Sequence, residues 1–216
     1  MRRSIYWGLG IALLALCPTA QAATFRIDTD PFAGTNVLTT PGRQVVGGEL
    51  FLPFSITKDV FSLESTVFGV GGSLNFVNDL AANLPTGGVN VIVLQTFDDD
   101  ANPLTPFGAG GAANLIADQI TTSGAGFFIY FNQALNIPRL VFSTDLSDRN
   151  ADLKIVARML NLSGQAGRDA MPTFTAANFD ITTTATPVPE PSSLSMLALG
   201  AVGLYGRFAQ RKRAQD

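Results

Sequence analysis

The sequence predicts an all-β fold: one sandwich or jelly-roll-like domain with a single short helix, flanked by an N-terminal signal peptide and a C-terminal transmembrane helix. Two observations predict the β class. Short apolar or alternating runs recur between clusters of Gly, Pro, Asn and Asp, which is the spacing of a sandwich or barrel. One of these runs, 152–160, alternates cleanly. Leu153, Ile155, Ala157 and Met159 fall on one face and Lys154 and Arg158 on the other, so it reads as a half-buried strand. A third observation bounds the architecture: the chain has no internal repeat at a fixed period, which argues against a solenoid or propeller.

In chain order, residues 1–22 fit a secretory signal peptide. Arg2 and Arg3 form the charged start, residues 9–16 the apolar middle, and Ala20-Gln21-Ala22 the small-residue cleavage site. The mature chain is expected to begin near Ala23. Leu16 stands before Cys17 where a lipoprotein signal has a small residue, so lipidation is not expected. Removal of the leader takes away the one cysteine and the one tryptophan, Cys17 and Trp7. The mature protein then has neither thiol nor disulfide.

Residues 23–185 form the body, about 160 residues and enough for one domain with a sizeable core. Strands are expected at 24–27, 49–56, 60–63, 73–76, 89–97, 127–131, 139–143, 152–160 and 174–181. The runs 89–94 and 127–131 are apolar on both faces apart from Asn90, which places them centrally, covered on both sides. Pro53 interrupts 51–56 and marks an edge strand or a bulge. Ala112, Leu115, Ile116 and Ile120 follow helical spacing and predict the short helix. The stretches 98–111 and 164–172 read as loops, and the glycine groups 69–72 and 108–111 as tight turns without the spacing of a nucleotide fingerprint.

Residues 186–192, Thr-Pro-Val-Pro-Glu-Pro-Ser, make a stiff extended linker, because proline donates no backbone hydrogen bond and restricts its neighbour. Residues 193–213 read as a transmembrane helix with a basic end. Leu194, Met196, Leu197, Leu199, Val202 and Leu204 make the uncharged part apolar on every face, as a helix in lipid requires. The run is shorter than the roughly 20 residues of a full span unless Arg207 snorkels to the interface. Arg207, Arg211, Lys212 and Arg213 mark the cytoplasmic side.

Taken in order, Val188-Pro189-Glu190-Pro191, the apolar run and the basic end resemble the PEP-CTERM sorting signal. The resemblance covers 188–213 and no more. It implies export across the inner membrane of a Gram-negative bacterium, anchoring there in transit, recognition by an exosortase, and cleavage near Pro189, Glu190 and Pro191. The destination it implies is the cell surface or the extracellular matrix of a biofilm, where extracellular polysaccharide is the partner to test.

Charge and composition narrow the chemistry of the body. Of 17 acids and 14 bases, two acids and six bases lie in the terminal segments, which leaves the body 15 acids against eight bases, a net of −7. That sign excludes nucleic acid as an expected partner and permits divalent cations. The chain contains no histidine, so Ser/His/Asp and Cys/His catalysis and histidine-ligated zinc are not expected. Carboxylate catalysis would rest on the two body glutamates, Glu49 and Glu64, placed across one cleft. The expectation is no catalytic residue and no resident cofactor.

Calcium is the one ion with a candidate site. Asp98, Asp100 and Asn102 stand at positions one, three and five of a calcium-loop pattern, but Pro103 and Ala109 occupy the positions of its glycine and its bidentate glutamate, so this is not an EF-hand. The other reading of the stretch is a polar turn. Asp28 and Asp30, and Asp145, Asp148 and Asp152, are further acidic neighbourhoods. Tyr130 is expected in the core, so a sugar site would depend on Asn, Asp and backbone groups, with or without calcium.

Overall fold

Among the described residues, ten strands and three short α-helices follow in order: β1 (Thr24–Ile27), β2 (Val45–Val46), β3 (Leu50–Leu52), β4 (Val60–Glu64), α1 (Ser65–Phe68), β5 (Phe76–Asp79), β6 (Val91–Leu94), α2 (Ala109–Ala117), β7 (Gly126–Asn132), β8 (Ile137–Ser143), β9 (Leu153–Met159), α3 (Gly164–Ala170) and β10 (Phe179–Thr182). They are seen in a computed structural model that describes residues 21–102 and 104–183. The expected signal peptide apart from its last two residues, the linker and the expected transmembrane helix lie outside the described residues. Among the described residues no helix is long and apolar enough to cross a membrane.

The strands form two sheets. One has the order β1-β4-β10, and the other runs β2-β9-β8-β7-β6-β5 with β3 also paired to β9. The protein is thus mostly sheet with a few short helices. Residues that alternate along the central strands serve two separate cores. Val91, Val93, Phe127, Ile129, Leu140 and Phe142 pack toward the small sheet, while Ile92, Leu94, Phe128, Tyr130 and Val141 pack with Ala112 and Ile116 of α2. The central strands are therefore covered on both sides, as their double-faced apolarity predicts.

Phenylalanine fills the space between the sheets. Phe54 stacks on Phe61 with centroids 4.4 Å apart, and Phe68 meets Phe127 and Phe142 edge-on at 4.9 Å each. Full burial of one such ring contributes about 1.5–3 kcal/mol. This core lies between the sheets.

Several expectations are corrected. A jelly roll is built from antiparallel Greek keys, whereas six of the eight ladders among the described residues are parallel; only β7–β8 and β8–β9 are antiparallel. The alternation of β9 does not hold one face throughout. Its register with β8 shifts between Leu140 and Val141, so Leu140 faces Ala157 and Val141 faces Ile155, leaving Val156 as an extra residue. The bulge turns Leu153 and Ile155 toward α2, and Ala157 and Met159 toward the small sheet.

The expected loop at 164–172 contains α3, which its glycines and polar residues hide from a periodicity reading; Gln165 donates to Asp169 one turn on at 2.7 Å. The glycine-rich stretch 108–111 opens α2, with Gly108 as its N-cap, and does not form a tight turn. Gly69 does close α1 in the left-handed region, at φ 64°. The strand expected at 73–76 starts at Phe76, because Asn75 is tied to Asn90: its N–H donates 2.9 Å to the Asn90 Oδ1. The run 49–56 narrows to β3, an edge strand that ends ahead of Pro53. The run 174–181 forms a turn of 3-10 helix before β10.

Candidate functional site

The acidic loop after β6 owes its shape to its own side chains. Asp98 Oδ1 accepts the N–H groups of Ala101 (3.1 Å) and Asp100 (3.3 Å). Asp100 Oδ1 accepts the Asn102 N–H at 2.8 Å, and its Oδ2 accepts the Thr105 hydroxyl at 2.6 Å. These two donors hold the Asp100 carboxyl below the usual aspartate range. Asn102 Oδ1 accepts the Leu104 N–H at 3.1 Å.

One carboxylate oxygen from each of Asp98, Asp99 and Asp100 lies within 4.8 Å of the others. The structure therefore brings together Asp98 and Asp100 of the expected trio, with Asp99 beside them, while the Asn102 oxygen is turned to Leu104. Asp99 lies over Gly111 in the first turn of α2, where any side chain would overlap its carboxylate. Three oxygens at this spacing could hold a hard cation such as calcium. Hydrogen bonds within the loop account for the same geometry without one.

The two body glutamates do not meet. Glu49 precedes β3 at the edge of the large sheet; its Oε1 accepts from Arg139 at 3.0 Å and from Arg158, and its Oε2 accepts the Gly48 N–H at 2.8 Å. Burial alone would raise this carboxyl, but hydrogen bonds from the Glu49 and Gly48 N–H groups and the Arg158 guanidinium outweigh burial and hold it below the usual range. Glu64 ends β4 in the small sheet, is buried, and accepts from the hydroxyls of Thr66 (3.0 Å) and Thr182 (3.2 Å). Sequence reading missed the arginines around Glu49. Arg139 and Arg158 stand opposite each other on β8 and β9, with Tyr130 and Phe51 extending the row on either side.

Tyr130 is fully buried, and its hydroxyl accepts from Asn132 Nδ2 at 3.0 Å. Burial pushes the phenol up from its ordinary value, against the nearby Arg139 charge. It is a core residue and offers no platform to a sugar. Asp145, Asp148 and Asp152 remain separate: Asp145 takes Ser123, Gly124 and Ser147, Asp148 takes the Asn150 N–H, and Asp152 takes the Gln44 N–H. Asp148 closes a local turn, whereas Asp145 also ties to 123–124 and Asp152 to Gln44.

Asp28 and Asp30 line a cleft of about 230 Å³ between the end of β1 and the β2–β3 edge. Arg26 pairs with Asp28 at 2.8 Å, Asp30 accepts the Phe32 N–H at 2.9 Å, and Lys154 donates to the Gly47 carbonyl at 2.6 Å. Leu50, Phe68 and Val156 supply the apolar wall. Two acids, two bases and an apolar wall suit a small, uncharged, polar ligand. No local sequence pattern marks this cleft, since its lining comes from four distant stretches.

Of the remaining expected residues, Ala22 is exposed at the start of the described chain. Ala20, Val188, Pro189, Glu190, Pro191, Arg207, Arg211, Lys212 and Arg213 lie outside the described residues. Comparison with known proteins adds one finding for them. No curated protein and no solved structure matches the chain, and the body falls into no recognised family. A family model described as the PEP-CTERM protein-sorting motif matches residues 187–212. That range takes in the Pro-Glu-Pro segment, the apolar run and nearly all of the basic end. The chain carries, as its C-terminal tail, a PEP-CTERM protein-sorting motif.

Proposed function

We propose that this is an exported protein which its tail holds at the inner membrane, delivers to an exosortase and so passes to the cell surface or extracellular matrix, where the β body has a structural or interaction role. The sorting motif at 187–212 carries the reading. It names a membrane-held processing step, and its basic end supplies the orientation. The body's glutamates support a role in building or binding: the oxygens of Glu49 are taken up by arginine and backbone N–H, and Glu64 is buried among threonines. A net charge of −7 on the body suits solubility outside the cell.

The second reading is a calcium-assisted carbohydrate-binding module. The observation that favours it is the oxygen trio of Asp98, Asp99 and Asp100. The sorting reading is tested by removing residues 188–213 from the gene in its host and following the protein by cell fractionation. The truncated chain is expected to stay in the periplasm with no surface form. Unchanged surface delivery would sink the assignment.

A further inference from the structure

The residue ahead of β1 has a buried acid for a partner. Ala23 already belongs to the β1–β4 ladder, since its carbonyl accepts the Val60 N–H at 3.0 Å. Its own nitrogen donates 2.9 Å to Asp59 Oδ1. Asp59 is only 5% exposed, and its Oδ2 accepts the Ser55 N–H at 2.8 Å. Asn178 clamps the same turn by donating to the carbonyls of Ile56 (2.6 Å) and Asp59 (3.1 Å). Ala22, one residue earlier, is exposed. The Ala22–Ala23 peptide bond therefore sits where the chain leaves the folded surface, directly after the Ala20-Gln21-Ala22 pattern of the kind a signal peptidase accepts.

We propose that leader removal after Ala22 places the new α-ammonium of Ala23 on the Asp59 carboxylate, so that processing itself stabilises the exported fold. This deepens the export reading above and rests on it. Hydrolysis adds one water across the Ala22–Ala23 bond; Ala22 keeps the carboxylate, and the freed amine of Ala23 takes the proton. Before the cut, Asp59 receives a neutral peptide N–H. Afterwards it receives a charged donor, a bond roughly twice as strong, and a buried carboxylate gains a counter-charge in contact. A chain that reaches full stability only after the cut unfolds more easily while it still has to cross the membrane.

The test starts with the N-terminus of the exported protein, read by mass spectrometry, which is expected at Ala23. Three forms are then compared in a nonionic detergent by urea unfolding followed by circular dichroism. They are residues 23–216, the same chain with Gln21-Ala22 ahead of it, and the first chain acetylated at Ala23. The two blocked forms are expected to unfold with an equilibrium constant about tenfold larger, about 1.4 kcal/mol. In Asp59→Asn that difference should vanish. Equal midpoints for free and acetylated wild-type chains would overturn the ion pair and leave export intact, and this comparison needs no folded variant. A difference that persists in Asp59→Asn would overturn Asp59 as the acceptor. A mature N-terminus other than Ala23 would overturn the placement of the cut.

Discussion

Glu49 is the residue on which the most charge depends. Arg139 and Arg158 face each other across neighbouring strands, an arrangement that repels unless a shared anion lies between them. The Glu49 side chain is 5% exposed and the Arg139 side chain 13%, so little water is present to screen the pair. Replacing Glu49 by Ala is expected to destabilise the fold by about 3–5 kcal/mol, the cost of leaving a buried charge unmatched. The urea midpoint at neutral pH reads this directly, and an unchanged midpoint would show that the arginines find other partners. The pH dependence has a definite sign. The Glu49 carboxyl is held below its ordinary value of 4.5, so its contribution is fully present above that pH and is lost as the pH falls below it. Glu49→Gln should therefore flatten the acid limb of the stability curve.

At the scale of elements, α3 makes the sharpest demand on the sequence. Gly167 is buried, and a Cβ there would overlap the Leu162 carbonyl and come within 3.1 Å of the Phe131 ring. The clash is with backbone, which cannot swing aside. Gly167→Ala is expected to cost about 1–3 kcal/mol despite the better helix propensity of alanine. Gly124 is the control: nothing lies within 4 Å of its would-be Cβ and its φ is not left-handed, so Gly124→Ala should be neutral or stabilising by up to about 1 kcal/mol. Thermal melts of the two variants separate packing from propensity, and equal melting points would refute the packing argument. The same helix shows where local reading ends. Apolar runs such as 91–94 and 126–132 announce their strands because both faces are filled by their own residues. α3 is held by the absence of side chains, and the Val156 bulge by a shift against β8, so neither leaves a periodic mark. Parallel pairing was equally hidden, since β4 takes β1 on one side and β10 on the other through register with residues far along the chain.

For the whole molecule, legibility divides by distance in sequence. The sorting tail is contiguous and could be read from its residues, and the acidic loop is contiguous as well. The cleft joins Arg26, Leu50, Phe68 and Lys154 and only the fold assembles it. Loop and cleft are two separate places where an exported body could meet a matrix polymer, and calcium tells them apart. The experiment is co-sedimentation of the full mature chain with the host's extracellular polysaccharide, with calcium or with a chelator. If the loop carries binding, retention should require calcium and fall at least tenfold in Asp98→Asn/Asp99→Asn, because three oxygen donors are too few for the ion once two lose their charge. If the cleft carries it, retention should persist in chelator and fall in Leu50→Trp, which fills the apolar wall from an edge position that is 43% exposed and so tolerates the larger ring. No retention in either condition would remove polysaccharide as the partner. The interaction role would then rest on protein contacts, with the exposed edge formed by Val45, Leu50 and Phe51 the first surface to cross-link.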